Sequence, residues 1–102
     1  MGWTLEKILK GARSHYASDV HLVRSIAPAL RINGEIRPLE GPPIQVEDLQ
    51  QLYDTTLNSA QKELFDREWQ VCFSRHFEGI GRFRVSVYSH AGCPEFSVYA
   101  RP

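Results

Sequence analysis

Arg31, Arg37, Arg82 and Arg84 are the side chains whose type and spacing point most directly to chemistry. Arg82 and Arg84 stand two residues apart in Gly81-Arg82-Phe83-Arg84-Val85-Ser86-Val87-Tyr88, a run that alternates polar and apolar residues. Alternation with period two is the pattern of a half-buried strand. It sends Arg82, Arg84, Ser86 and Tyr88 to one face and Phe83, Val85 and Val87 to the other. Arg31 and Arg37 flank Asn33-Gly34, a strong hairpin signal. A planar guanidinium with five N–H donors suits bidentate contact with phosphate or carboxylate. On the residues alone two readings stay open. One is an anion site built from arginines. The other is a solvated sheet face whose ion pairs, to some of the twelve acidic residues, are each worth little.

Other constellations are thinner. Asp19 and His21 share a strand face, with His15 a short way upstream. A metal or acid–base site needs a third ligand or partner in defined geometry, and none stands at ligand spacing. The plainer reading has Asp19 accepting local hydrogen bonds and His21 filling a half-buried position. Gly79-Ile80-Gly81 is half of a dinucleotide fingerprint but lacks the third glycine and a following helix, so it reads as a hairpin turn. Cys72 and Cys93 belong to no CxxC pair, and neither has a recognisable nucleophile setting with His76 or His90. Two free thiols in a reducing compartment is the expectation. No GxxxxGK[ST] phosphate loop occurs in the 102 residues, which excludes ATP binding by that device within them. No cofactor and no metal is expected for this domain on its own.

The elements that must position these groups follow from periodicity. Thr4 is a candidate N-cap, and Leu5, Ile8, Leu9, Ala12 and Tyr16 recur at helical spacing, which predicts a helix over about 5–16. Val20 and Leu22 alternate with Asp19 and His21 as a short strand. For the hairpin around Asn33-Gly34, a two-residue loop would pair Leu30 with Arg37 and Ile32 with Glu35. A three-residue loop would pair Leu30 with Ile36 and Arg31 with Glu35. Cross-strand chemistry favours the second, which places Arg31 and Arg37 on one face. Gly41-Pro42-Pro43 is a rigid connector. A helix is predicted over about 46–57, and Asn58-Ser59 caps another carrying Leu64 and Phe65. Val71, Phe73 and Phe77 begin a strand, Phe83, Val85 and Val87 mark the next, and Gly92-Cys93-Pro94 turns into a last one with Phe96 and Val98. The predicted order is α-β-β-β-α-α-β-β-β. That order implies a single α+β domain over 1–102, with a mostly antiparallel sheet and helices packed on one face.

Composition agrees with one globular unit. The chain is 42% hydrophobic and 24% charged with zero formal net charge, and its pI is near 6.9. Non-specific nucleic-acid binding requires a surplus of basic groups to release counterions, so nucleic acid is not an expected partner. Nine of the twelve basic residues are arginines. No apolar run is long enough to span a bilayer and no signal peptide is recognisable, and Met1-Gly2 lacks the Ser or Thr at position 6 that myristoylation wants. A cytoplasmic domain without membrane insertion is expected.

Four segments, taken in order, resemble the PilT-type pilus-retraction and secretion ATPases. Ala17-Ser18-Asp19-Val20-His21-Leu22 is similar to the family's ASDLHL segment. Leu30-Arg31-Ile32-Asn33-Gly34-Glu35-Ile36-Arg37-Pro38-Leu39 resembles its R-V-D-G-E-L-R-P-L hairpin. Ser59-Ala60-Gln61-Lys62-Glu63-Leu64-Phe65 resembles its T-x-E-Q-x-x-x-F helix, and Gly79-Ile80-Gly81-Arg82-Phe83-Arg84-Val85 its G-L-G-R-F-R-V strand. Order and spacing match from about residue 5 to Pro102. The resemblance implies a PAS-like N-terminal domain, with Asp19, His21, Asn33, Gly34 and Gly81 as structural motif positions. It further implies a non-catalytic role in a homo-hexameric motor of pilus retraction (twitching motility) or secretion. There the domain packs on the neighbouring subunit's ATPase domain, with ATP and Mg held by the motor. By the same resemblance Arg31, Arg37, Arg82 and Arg84 occupy positions that approach the neighbour's nucleotide in trans. A stand-alone PAS-like ligand-sensing or adaptor module is the alternative. The sequence also departs from the family. Ser86 replaces Asn, Ser89-His90-Ala91-Gly92 replaces R-Q-R-G, and Val98-Tyr99-Ala100-Arg101-Pro102 replaces L-R-x-I-P. The aspartate ahead of the F-S-F strand is replaced around Val71-Cys72.

Overall fold

A computed structural model describes residues 3–100; Met1-Gly2 and the Arg101-Pro102 end of the motif comparison lie outside the described residues. The chain forms α1 (Leu5–Ser14), β1 (Asp19–Leu22), β2 (Ala29–Ile32), β3 (Glu35–Pro38), α2 (Val46–Thr56), α3 (Ser59–Glu68), β4 (Gln70–Phe77), β5 (Gly81–His90) and β6 (Cys93–Ala100). This is the predicted α+β order.

The six strands make one sheet, β3-β2-β1-β6-β5-β4, and every neighbouring pair is antiparallel. Two three-stranded meanders, β1–β3 and β4–β6, are thus joined where the first strand meets the last. Helices α2 and α3 form the connection between them. The apolar positions expected from alternation are buried: Val20, Leu22, Leu30, Phe83, Val85, Val87, Phe96 and Val98 form one face. Against it lie Leu5, Ile8, Leu9 and Ala12 of α1 and Leu49 and Leu52 of α2, all within one cluster. Helix α3 buries no residue fully and packs by Phe65, whose ring sits 5.2 Å from that of Tyr53.

Helix ends follow capping chemistry. Thr4 accepts from the Lys7 amide at 3.2 Å, and Asn58 and Gln61 cap α3 reciprocally at 2.8 and 2.9 Å. Helix α1 stops two residues short of the prediction. The Tyr16 amide donates to the Arg13 carbonyl and the Ala17 amide to the Ala12 carbonyl, with Tyr16 left-handed at φ 57°. That is a Schellman closure, and it throws Tyr16 off the apolar stripe to 91% exposure. Helix α2 also ends a residue early, at Thr56.

Two turn expectations are corrected. The first hairpin takes the two-residue loop: Ile32 pairs with Glu35, Arg31 with Ile36 and Leu30 with Arg37. Asn33 and Gly34 are both left-handed, at φ 51° and 82°, the conformation whose twist matches the flanking strands. Arg31 and Arg37 therefore lie on opposite faces of the hairpin, not on one. The last turn is Ala91-Gly92, again left-handed at both residues, and Cys93 and Pro94 already belong to β6. At the β4–β5 turn, Gly81 has φ 135°, and a Cβ there would stand 2.3 Å from the Arg13 guanidinium. Arg13 is fixed at that point by its Nε donating to the Ile80 carbonyl at 3.1 Å and by lying 4.9 Å over the Phe83 ring. Glycine at 81 thus serves both backbone and packing.

Candidate functional site

With one face of the sheet buried under helices, the register fixes what the other face carries. Reading across the strands, one row runs Ile36, Arg31, Asp19, Tyr99, Arg84, Ser74. The next row runs His21, Ser97, Ser86, Cys72, and Arg82 stands opposite His76. Three of the four predicted arginines are on this outer face. Arg82 and Arg84 are close, about 7 Å apart along the strand, whereas Arg31 is three strands from Arg84, about 14 Å. Arg37 is on the helix side of the hairpin, where it borders a groove with His15, Leu30, Ile32 and Leu39 and pairs with Glu35 at 3.3 Å. The four arginines do not form one cluster.

Asp19 and His21 do come together. Asp19 is 6% exposed. Its Oδ1 accepts from Ser18 Oγ at 2.7 Å, and its Oδ2 meets His21 Nε2 at 2.6 Å. Arg31 Nε approaches the same carboxylate at 3.4 Å. With the proton on Nε2, His21 donates to Asp19 and its Nδ1 accepts from Ser97 Oγ at 3.1 Å. The order Ser97–His21–Asp19 resembles a hydrolytic triad. Nevertheless, Ser97 lies in a central strand paired with His21 on one side and Ser86 on the other. The ladder consumes the amides that an oxyanion hole would require, so the network reads as a clasp joining β6, β1 and β2.

Burial raises the Asp19 carboxyl, but hydrogen bonds from Ser18 and His21 and the charges of His21 and Arg31 outweigh it and hold the group below its ordinary 3.8. A carboxyl depressed in the folded state stabilises the fold above its unfolded value, and that contribution is lost as pH falls through the folded value. Wild-type chain should therefore lose stability as pH falls below the ordinary carboxylate value of 3.8. Asp19→Asn should start about 1–3 kcal/mol lower at neutral pH and show a flatter profile across that window. Urea melts at stepped pH measure both; parallel profiles would contradict the clasp.

The contact that sequence reasoning missed is on β4. Cys72 Sγ accepts from Arg84 Nε at 3.0 Å and from Ser86 Oγ at 3.4 Å. Its signal in the sequence was parity: Cys72 falls between Val71 and Phe73, hence on the polar face. Burial raises this thiol, but the hydrogen bonds from Ser86 and Arg84 and the guanidinium charge bring it below its ordinary value. The same contact raises Arg84. Cys93, by contrast, is buried and is raised by that burial. Among the described residues no three of His, Cys, Asp and Glu gather as a metal site, and no helix is long and apolar enough to cross a membrane.

No family model matches the chain. Over 85 residues, 83% of its length, it is 27% identical to the type IV pilus retraction ATPase PilT of Pseudomonas aeruginosa, covering 25% of that protein. It is 28% identical over 83 residues to the type IV pilus ATPase PilU of the same organism, covering 81% of this chain and 22% of PilU. The chain thus spans about a quarter of the length of these relatives. Among solved structures, the pilus retraction motor PilT with bound ADP superposes with a TM-score of 0.91 at 32% identity, covering 98% of this chain and 29% of that one. The Legionella pneumophila ATPase DotB superposes with a TM-score of 0.82 at 14% identity over the whole of this chain and 30% of its own, a likeness of fold alone.

Proposed function

We infer, from a chain that matches the N-terminal domain of the PilT-type ATPases in sequence and in fold, that it serves as a non-catalytic assembly domain of an ATP-driven pilus-retraction or secretion motor. In this reading its outer sheet face packs on the ATPase domain of a neighbouring subunit in a ring. The supporting observation is that this face is left uncovered by the domain's own helices while presenting Arg31, Arg82 and Arg84. A guanidinium delivered across a subunit boundary stabilises charge that develops on transferring phosphate, without itself binding the nucleotide tightly.

The residues fit such a contact and not a complete nucleotide site. A phosphate loop grips by a nest of backbone N–H groups. On the outer face the backbone is committed to the sheet ladder, which leaves only side-chain donors. ATP and Mg are therefore assigned to the neighbouring ATPase domain. What this chain contributes is positive charge at Arg82 and Arg84, a third guanidinium at Arg31 braced by Asp19, and the rigid sheet that holds them. Arg37, turned to the helix side, is left out of the contact.

Calorimetric titration of this chain with Mg-ATP at low salt tests the division of labour. Binding weaker than about millimolar, a free energy smaller than about 4 kcal/mol, is expected. A micromolar dissociation constant would overturn the reading, because it would require a nucleotide site within this domain.

A further inference from the structure

We propose that Cys72 is a modifiable thiol that controls Arg84: it holds the guanidinium against the sheet in the free state and releases it on forming a mixed disulfide with a small disulfide. This regulates the contact described above and rests on that reading only for its consequence, since the pairing itself stands on geometry in this chain.

Cys72 does not stand alone. It faces Arg84 and Ser86 on the adjacent strand, both aimed at its sulfur at 3.0 and 3.4 Å. All three are on the solvent-facing side of the sheet, and Cys72 is exposed. Beside Cys72 a cleft of about 450 Å³, bounded by Leu64, Glu68, Gln70, Val71 and Tyr88, leaves room for a small reagent to reach the sulfur.

The chemistry balances without a further oxidant. The Cys72 thiolate attacks one sulfur of the disulfide, a new S–S bond forms, the old S–S bond breaks, and the other half leaves as a thiolate. Cys72 is oxidised and the departing half is reduced. A neighbouring guanidinium favours the attacking thiolate. Once capped, the sulfur carries no charge for Arg84 to pair with, and the guanidinium is free to turn outward. Cys93 is buried and its thiol is raised by that burial, so it serves as an internal slow reference.

The first test follows reaction of this chain with the aromatic disulfide 5,5′-dithiobis(2-nitrobenzoate) by the absorbance of the released thiolate, against pH. Cys72 should react first, Cys72→Ser should abolish that phase, and Arg84→Gln should slow it at neutral pH by at least about threefold, less than the loss of thiolate because a more basic thiolate is more nucleophilic. Arg84→Lys should restore part of the rate. Equal rates in wild type and Arg84→Gln would overturn the pairing. The second test reads release by nitrogen-15 resonances of arginine Nε–H groups, with Arg84 assigned from its absence in Arg84→Lys. Its Nε–H should exchange slowly with solvent in the untreated chain, and quickly after modification and in Cys72→Ala. Unchanged exchange after modification would overturn the release. Neither measurement involves nucleotide, so failure of the motor reading and failure of this proposal are separable.

Discussion

Phe96→Ala is expected to lower the unfolding free energy by about 3–5 kcal/mol. Phe96 is fully buried and stands on β6 directly across from Leu22 of β1 and Val87 of β5. That is the seam where the two meanders join. Truncation removes a ring's worth of transferred surface and leaves a cavity that the paired strands on either side cannot close. A domain of this size has only about 5–15 kcal/mol in total. At about 4–8 °C per kcal/mol, the melting temperature should therefore fall by at least about 12 °C. Ile36→Thr, at a half-exposed outer-face position, should stay within about 0.5 kcal/mol. Calorimetric melts of both variants decide the point. Comparable losses would mean that the outer face, too, is packed, contradicting its assignment as a free surface.

How much of this was legible in the sequence depended on whether local chemistry and tertiary context agreed. On β5, alternation assigned every side chain to its face, because one face is wholly buried and a shift of register would expose Phe83, Val85 and Val87 together. On the first hairpin they disagreed. Pairing preferences argued for Leu30 beside Ile36. But Glu35, Ile36 and Arg37 are all exposed at the sheet edge, so mismatched neighbours there cost little, and the left-handed Asn33-Gly34 turn set the register instead. That one-residue difference moved Arg37 to the other side of the sheet and took it out of the candidate site. Tyr16 continued a helical stripe that predicted a helix to about residue 16, yet the Schellman closure ends the helix at Ser14, before the stripe reaches it. The Arg84–Cys72 contact joins residues twelve apart across a three-residue turn. Parity placed both on one face, but only the pairing of Cys72 with Ser86 brought the sulfur within reach.

The arginines carry the largest functional prediction. Arg84→Ala should lower ATP turnover of the assembled motor at least about tenfold, about 1.4 kcal/mol of barrier, and Arg31→Ala should act in the same direction. Arg84 sits on the outer face, away from the core, so Arg84→Ala should not move the melting temperature beyond the few degrees typical of surface changes; Arg31→Ala also takes a partner from the buried Asp19 and should lower it further. Arg37→Ala, from the helix side, should leave turnover within about twofold, inside the margin of a surface substitution. The contrast between Arg84 and Arg37 is what distinguishes delivery of charge from the outer face from a general effect of losing a positive side chain. The measurement is steady-state ATP hydrolysis by a fusion that places this chain ahead of the ATPase domain of Pseudomonas aeruginosa PilT, with the unsubstituted fusion as reference and melting curves run on each variant. The predicted result is loss of turnover in Arg84→Ala with the fold intact and near-reference turnover in Arg37→Ala. Full turnover in Arg31→Ala, Arg82→Ala and Arg84→Ala alike would contradict the account and leave the outer face as a solvated surface.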